Sequence, residues 1–155
     1  MGHEIRKLRQ SFAYALRGIR LCMRSERNFR IHLTAAAYVT LFALLGRLSA
    51  IQCALLALCF GVMMGAELMN TAVERLCDWK ASGYDPTVRD AKDIAAAAVF
   101  LCALACVVVG ALFFLRAPVL TRIWHILLTA PWLAGLLLLS IPAALWFIFA
   151  FGRKK

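Results

Sequence analysis

Glu67-Leu68-Met69-Asn70-Thr71-Ala72-Val73-Glu74-Arg75-Leu76-Cys77-Asp78 is the stretch whose reading decides the fold. It closes an apolar run, 48–66, with three carboxylates and a carboxamide at spacings of three, four and four. On a helix of about 3.6 residues per turn, Glu67, Asn70, Glu74 and Asp78 fall within roughly an 80° arc of one face. At about 1.5 Å per residue, Glu67 stands on the order of 16 Å along the axis from Asp78. With Asp78 at the water boundary, Glu67 lies inside a bilayer. A carboxylate at that depth is costly, and such residues are rare unless they have a task.

The composition around this stretch agrees with a membrane setting. The chain has 155 residues, 63% of them hydrophobic, and a mean hydropathy of +0.78. That is far above the apolar share of a soluble domain. The expected class is an all-α integral membrane protein, since no period-2 alternation supports a barrel. The net charge of +10 bears on topology and anionic lipid. No aromatic–basic pattern for reading bases occurs, so nucleic acid is not an expected partner. The six cysteines show no CxxC and no Cys/His ligand spacing, and read as small packing residues. The first thirty residues are basic throughout and lack the continuous apolar core of a cleavable signal.

Residues 4–27 carry Ile5, Leu8, Phe12, Leu16, Ile19 and Met23 at helical spacing, with Arg6, Arg9, Arg17, Arg20, Arg24 and Arg27 opposite. This is the pattern of an amphipathic helix lying in the interface; a basic cytosolic arm is the plainer alternative. Glu26 is the sole acidic residue between Glu4 and Glu67. It reads either as an ion-pair partner among arginines or as a group facing the Glu74 cluster. His32, at an apolar boundary, reads as a hydrogen-bonded interface residue rather than a ligand. Spans are expected at 31–48, 49–77, 94–115 and 126–151, the first borrowing from the segment before it. A turn falls at Gly46-Arg47-Leu48-Ser49. A polar stretch at 79–93 is broken by Gly83 and Pro86, and Asp93 is a candidate cap for the third span. Residues 116–125 read as a short connection, and Pro131 and Pro142 fall within the fourth span. With a cytoplasmic N-terminus, fifteen Lys/Arg lie inside and three (Arg47, Arg116, Arg122) outside. All eight acidic residues then lie on the inner side or in the inner part of the second span.

The loop between the second and third spans brings Lys92 and Asp93 toward the Glu67/Asn70/Glu74/Asp78 face. Carboxylates with one amide suit a hard cation such as Mg²⁺, which is held by one or two carboxylates and substrate phosphates. A lysine beside them suits phosphate as a point charge. The deeper carboxylate can act as general base toward a lipid hydroxyl presented at that depth. The combination favours phosphoryl transfer from a cytoplasmic nucleotide to a membrane alcohol. No Walker A or kinase glycine-rich signature is present, but metal and positioning supply this chemistry without them. The alternatives are a structural polar seam, a solvated start of the third span, a four-span transporter coupled to an intramembrane Glu, and a non-catalytic scaffold.

Glu67-x-x-Asn70-Thr71-Ala72-Val73-Glu74-x-x-x-Asp78, followed by Ala91-Lys92-Asp93-x-x-x-Ala97-Ala98-Val99, resembles the signature of the prokaryotic diacylglycerol kinase family, which includes undecaprenol kinases. Tyr14-x-x-x-Gly18 and Ser25-Glu26-x-Asn28-Phe29-Arg30 match as well, and the resemblance covers about 5–115. It implies an interfacial N-terminal helix with three spanning helices, a homotrimer, ATP with Mg²⁺, and a bacterial inner-membrane location. It further implies Glu67 as the base that activates the lipid hydroxyl, and Glu26 and Glu74 as holders of Mg²⁺. Asn70 would order the site, and Tyr14, Lys92 and Asp93 would contact the nucleotide. Gly83, Tyr84 and Asp85 would form a nucleotide-side loop. Ile31-His32-Leu33 resembles the undecaprenol branch more than the diacylglycerol one. The chain is thus expected to divide into a kinase-like domain, 1–116, and an added fourth span with a basic tail, 117–155, returning the C-terminus to the cytoplasm.

Overall fold

The structure is a computed structural model that describes residues 2–80 and 83–152. The basic tail at 153–155, which entered the charge count above, lies outside the described residues. Six helices follow in order: α1 Gly2–Ser25, α2 Arg27–Leu45, α3 Ala50–Lys80, α4 Pro86–Phe114, α5 Ala117–Thr129 and α6 Pro131–Phe149. Four of them (α2, α3, α4 and α6) are long and apolar enough to cross a bilayer. The all-α membrane class is therefore the one observed.

α1 forms from the 3–4 spacing of its apolar residues, and Ile5, Leu8, Phe12 and Leu16 remain exposed along it. An apolar stripe with arginines opposite suits a helix resting on lipid. The chain leaves the helical conformation at Glu26 (φ −102°, ψ 118°) and re-enters it at Arg27. The first span thus takes its opening turn from the basic segment before position 31. It ends where Gly46 N–H donates to Phe42 O at 2.8 Å and Arg47 adopts φ 52°. A Cβ on Gly46 would stand 2.8 Å from Val119 Cγ1, so only glycine admits α5 this close to the turn. α3 opens on a reciprocal cap. Ser49 N–H donates to Gln52 Oε1 at 2.8 Å, and Gln52 N–H to Ser49 Oγ at 3.4 Å.

Three boundaries differ from expectation, each for a local reason. α4 starts at Pro86, not after Asp93, because Asp85 Oδ1 accepts from Thr87 N–H at 2.8 Å and Pro86 takes the N1 position. Asp93 therefore sits two turns inside the helix and is not its cap. The expected connection at 116–125 is itself helical, as α5. The fourth span is shorter than 126–151, because Ala130 (φ −124°, ψ 71°) is pushed out of the helical region by the proline that follows. Pro131 opens α6, and only Pro142 lies inside it.

α3 and α4 pack most extensively against each other, and α2 is held between α3 and α6. α6 runs antiparallel to α2. Its start follows α5, which lies against the Gly46 turn, and its end reaches the start of α2, where Arg30 Nε donates to Ile148 O at 3.0 Å. Midway, Ser140 Oγ donates to Leu137 O at 2.7 Å, so its oxygen accepts from Tyr38 O–H at 2.6 Å. α4 and α6 bury no residue within the chain, leaving their outer faces to lipid or to other helices.

These contacts rank two substitutions. Tyr38→Phe should lower stability by about 0.6 kcal/mol, the usual worth of a hydrogen bond between spanning helices. Gly46→Val should cost about 2 kcal/mol or more, because it overpacks the Val119 contact. Reversible unfolding by SDS in mixed micelles measures both; equal costs would contradict the packing described.

Candidate active site

The buried stripe of α3 is Leu56, Met63, Glu67 and Thr71, so the carboxylate face is also the packed face. Apolar residues bring this stripe against α1 and α2, and Glu67 is carried in with them to 2% exposure. Around it the helices are pinned by polar contacts. Cys22 Sγ lies 3.3 Å from Thr71 Oγ1. Arg75 Nη2 donates to Ser25 Oγ at 3.0 Å, and Ser25 in turn donates to Leu21 O at 3.0 Å. These contacts hold the end of α1 on α3.

Glu67 Oε1 is buried and accepts no hydrogen bond. His32 Nε2 stands 3.3 Å from it, off the line of a hydrogen bond. Among the described residues His32 is the one basic side chain within ion-pair distance of Glu67. One turn along, Asn70 Nδ2 donates to Glu74 Oε1 at 2.8 Å, while Asn70 Oδ1 is buried without a partner. A buried acceptor left unsatisfied costs stability, and two of them lie on this one helix face.

Glu26 enters from the α1–α2 elbow. It occupies the N-cap position of α2, yet its side chain makes no cap bond and is half-buried. Cys22 registers how the acidic groups converge: burial raises its thiol pKa, and the charges of Glu26 and Glu67 raise it further, against the lowering effect of the Thr71 hydrogen bond and Arg75. Glu26 and Glu67 thus both act on Cys22, one from the α1–α2 elbow and one from α3. At the outer end of the face, Lys92 pairs with Asp78 across the α3–α4 loop.

Other expected residues lie apart from this convergence. Asp93 pairs with Arg89 at 3.6 Å along the exposed side of α4, so the adjacent Lys92 and Asp93 point to different partners. Asp85 is engaged as the α4 cap. Gly83 and Tyr84 are exposed beside it. Tyr14 is exposed on α1, with the Arg17 guanidinium 5.6 Å from its ring centre. Tyr14, Gly83 and Tyr84 have no recorded contact with the carboxylates of α3.

One residue close to the centre was not among the sequence-derived candidates. The sequence reads His32 as an interface residue, and its i+6 spacing from Glu26 carries no ligand signature. Only the packing of α2 on α3 sets it against Glu67. It also borders an apolar cavity of about 410 Å³ between α2, α3 and α4, walled by Leu56, Met63, Cys106 and Gly110 among others. The buried carboxylate thus stands between a polar, solvent-facing end and an apolar cleft.

No group of three His, Cys, Asp or Glu forms a ready-made metal cage among the described residues. Mg²⁺ does not need one, since substrate phosphates and waters complete its shell. The orphaned Asn70 Oδ1 beside the Glu74 carboxylate is the kind of hard-oxygen pair that fits it, and Glu26 makes no cap bond that would commit it.

A family model for prokaryotic diacylglycerol kinase matches residues 13–114, from the second half of α1 to the end of α4. The undecaprenol kinase of Bacillus subtilis (strain 168) is 38% identical over 113 residues, covering 73% of this chain and 92% of that protein. The diacylglycerol kinase of a Synechocystis species is 44% identical over 102 residues, covering 64% of this chain and 58% of that protein. No solved structure matches the chain. The matched segment holds every residue of the carboxylate face together with Glu26 and His32, while α5 and α6 lie beyond it. The chain belongs to the prokaryotic diacylglycerol kinase family and is a membrane lipid kinase.

Proposed function

We propose that the α3 face transfers the γ-phosphoryl group of Mg²⁺-bound ATP to the hydroxyl of a membrane lipid alcohol, undecaprenol in preference to diacylglycerol. The observation that carries this reading is the position of Glu67. It is buried on a membrane-spanning helix, with an unpartnered oxygen, between an apolar cleft and a set of polar groups that suit phosphate and metal. The lipid chain lies in the cleft bordered by His32, which presents its terminal hydroxyl at Glu67. Glu67 takes the hydroxyl proton as the oxygen attacks the γ-phosphorus, and the nucleoside diphosphate leaves. His32, 3.3 Å from Glu67 Oε1, fixes where the carboxylate stands in a site shielded from water. Glu74 and Glu26 would hold Mg²⁺, with Asn70 ordering Glu74, and the ion when bound would supply compensation for the phosphate charge. Lys92, Asp93 and Tyr14, with the 83–85 loop, contact the nucleotide from the polar end.

The lean toward undecaprenol is supported by the match to nearly the full length of the Bacillus protein, against 58% of the Synechocystis one. A cytoplasmic-membrane location with both termini inside is supported by the fifteen-to-three charge asymmetry. The exposed apolar face of α4 is compatible with assembly as a homotrimer. Transport and a scaffold role draw no support from the family match.

Three outcomes are expected in mixed micelles offering undecaprenol and diacylglycerol side by side. Glu67→Gln should lower phosphate transfer about 10²–10⁴-fold, the usual worth of a general base, while nucleotide binding persists. Turnover like that of the unmodified protein would remove Glu67 from the base role. Glu74→Gln should shift the Mg²⁺ titration of the rate to higher concentration, and an unmoved titration would refute its place at the metal. His32→Leu should lower kcat about tenfold or more with KM for ATP unchanged, which corresponds to about 1.4 kcal/mol of transition-state stabilisation. A loss seen in KM for ATP alone would place His32 in nucleotide binding.

A further inference from the structure

α6 has no counterpart in the segment that matches the family, and 113 matched residues already make up 92% of the Bacillus protein. Its last turn nonetheless engages the most constrained charged residue outside the site. Arg30 is 5% exposed, and none of its recorded partners is a carboxylate. Its guanidinium donates from Nε to Ile148 O at 3.0 Å, and from Nη1 to Met23 O at 3.0 Å and Arg24 O at 3.3 Å. All three acceptors are carbonyls in the last turns of helices, α1 and α6, which lack intrahelical donors. Two helix C-termini thus supply the negative ends that stabilise one buried cation.

Two further contacts join the same ends. The Arg27 guanidinium lies 6.0 Å from the Phe149 ring centre. Gly152 adopts φ 79°, and a Cβ there would run into the backbone carbonyl of Arg24. The chain after α6 therefore packs on the backbone of the final α1 turn, at a position where only glycine fits. Along the chain Glu26 falls between Arg24 and Arg30, at the elbow between α1 and α2.

We propose that the end of α6 is a brace for the nucleotide–metal end of the site: through Arg30 and Gly152 it holds the α1–α2 elbow that carries Glu26. Arg30 and Gly152 are positioning residues in this arrangement, and α6 is a working part of this kinase. The inference rests on the assignment of Glu26 to the metal.

The test uses the full chain in mixed micelles. Gly152→Val forces the chain after α6 away from Arg24 without touching α3. Arg30→Lys keeps the charge but loses the fork that spans two helix ends. Ser140→Ala, which loosens α6 from α2 far from the elbow, is the control. Each is read by KM for Mg·ATP against kcat, and by amide hydrogen exchange over 22–30. The brace predicts that Gly152→Val and Arg30→Lys both raise KM for Mg·ATP about fivefold or more and speed exchange at the elbow, with kcat at saturation much less affected. Ser140→Ala should change neither. Faster exchange with unchanged KM would show that the elbow is held but does not position the site, and unchanged exchange would show that it is not held; either result overturns the proposal. Glu26→Gln, run alongside, separates the two layers. If it leaves KM for Mg·ATP unmoved, the metal assignment of Glu26 has failed, whatever the brace does.

Discussion

The structure depends on keeping one carboxylate, Glu67, on the packed face of a membrane-spanning helix. Most of that face is ordinary: Leu56 and Met63 drive α3 against its neighbours by apolar contact. Glu67 continues the stripe one turn further, where a hydrophobic residue would pack better and leave no unsatisfied oxygen. The surrounding helices compensate only in part. His32 approaches within 3.3 Å without aligning a hydrogen bond, and Thr71 is occupied with Cys22. The carboxylate is thus confined but uncommitted within the chain.

The same economy of partners runs through the polar end. Asn70 commits its amide N–H to Glu74 and leaves its carbonyl oxygen free; Glu26 stands at a cap position without capping. Asp85, by contrast, is spent on the α4 N-terminus, and Asp93 on Arg89. The acidic residues thus separate by what holds them. Those that secure helix ends or pair on the surface are satisfied within the chain, and those around α3 are left with valence to spare.

The added helices follow a different logic. α5 covers the Gly46 turn, where a glycine allows close approach. α6 then runs back along α2, and its final carbonyls meet Arg30. Helix C-termini buried in a low-dielectric setting need donors, and a buried guanidinium needs acceptors. One contact meets both needs and couples the appended helix to the elbow that carries Glu26.

Much of this was readable without coordinates. Apolar run lengths marked four spans, the alternation of arginines and apolar residues marked α1, and the three-four-four spacing of Glu67, Asn70, Glu74 and Asp78 marked the polar face of α3. These are properties of local period and composition, and a helix preserves them whatever it packs against. Boundaries set by single side chains were less visible: Asp85 capping α4 ahead of Asp93, and Ala130 ending α5 before Pro131, depend on which of several polar or breaker residues takes the terminal position. The pairing of His32 with Glu67, the split of Lys92 from Asp93, and the reach of Arg30 to Ile148 were decided only by tertiary structure. Each joins residues through the rotation of one helix against another, and no spacing along the chain encodes that angle.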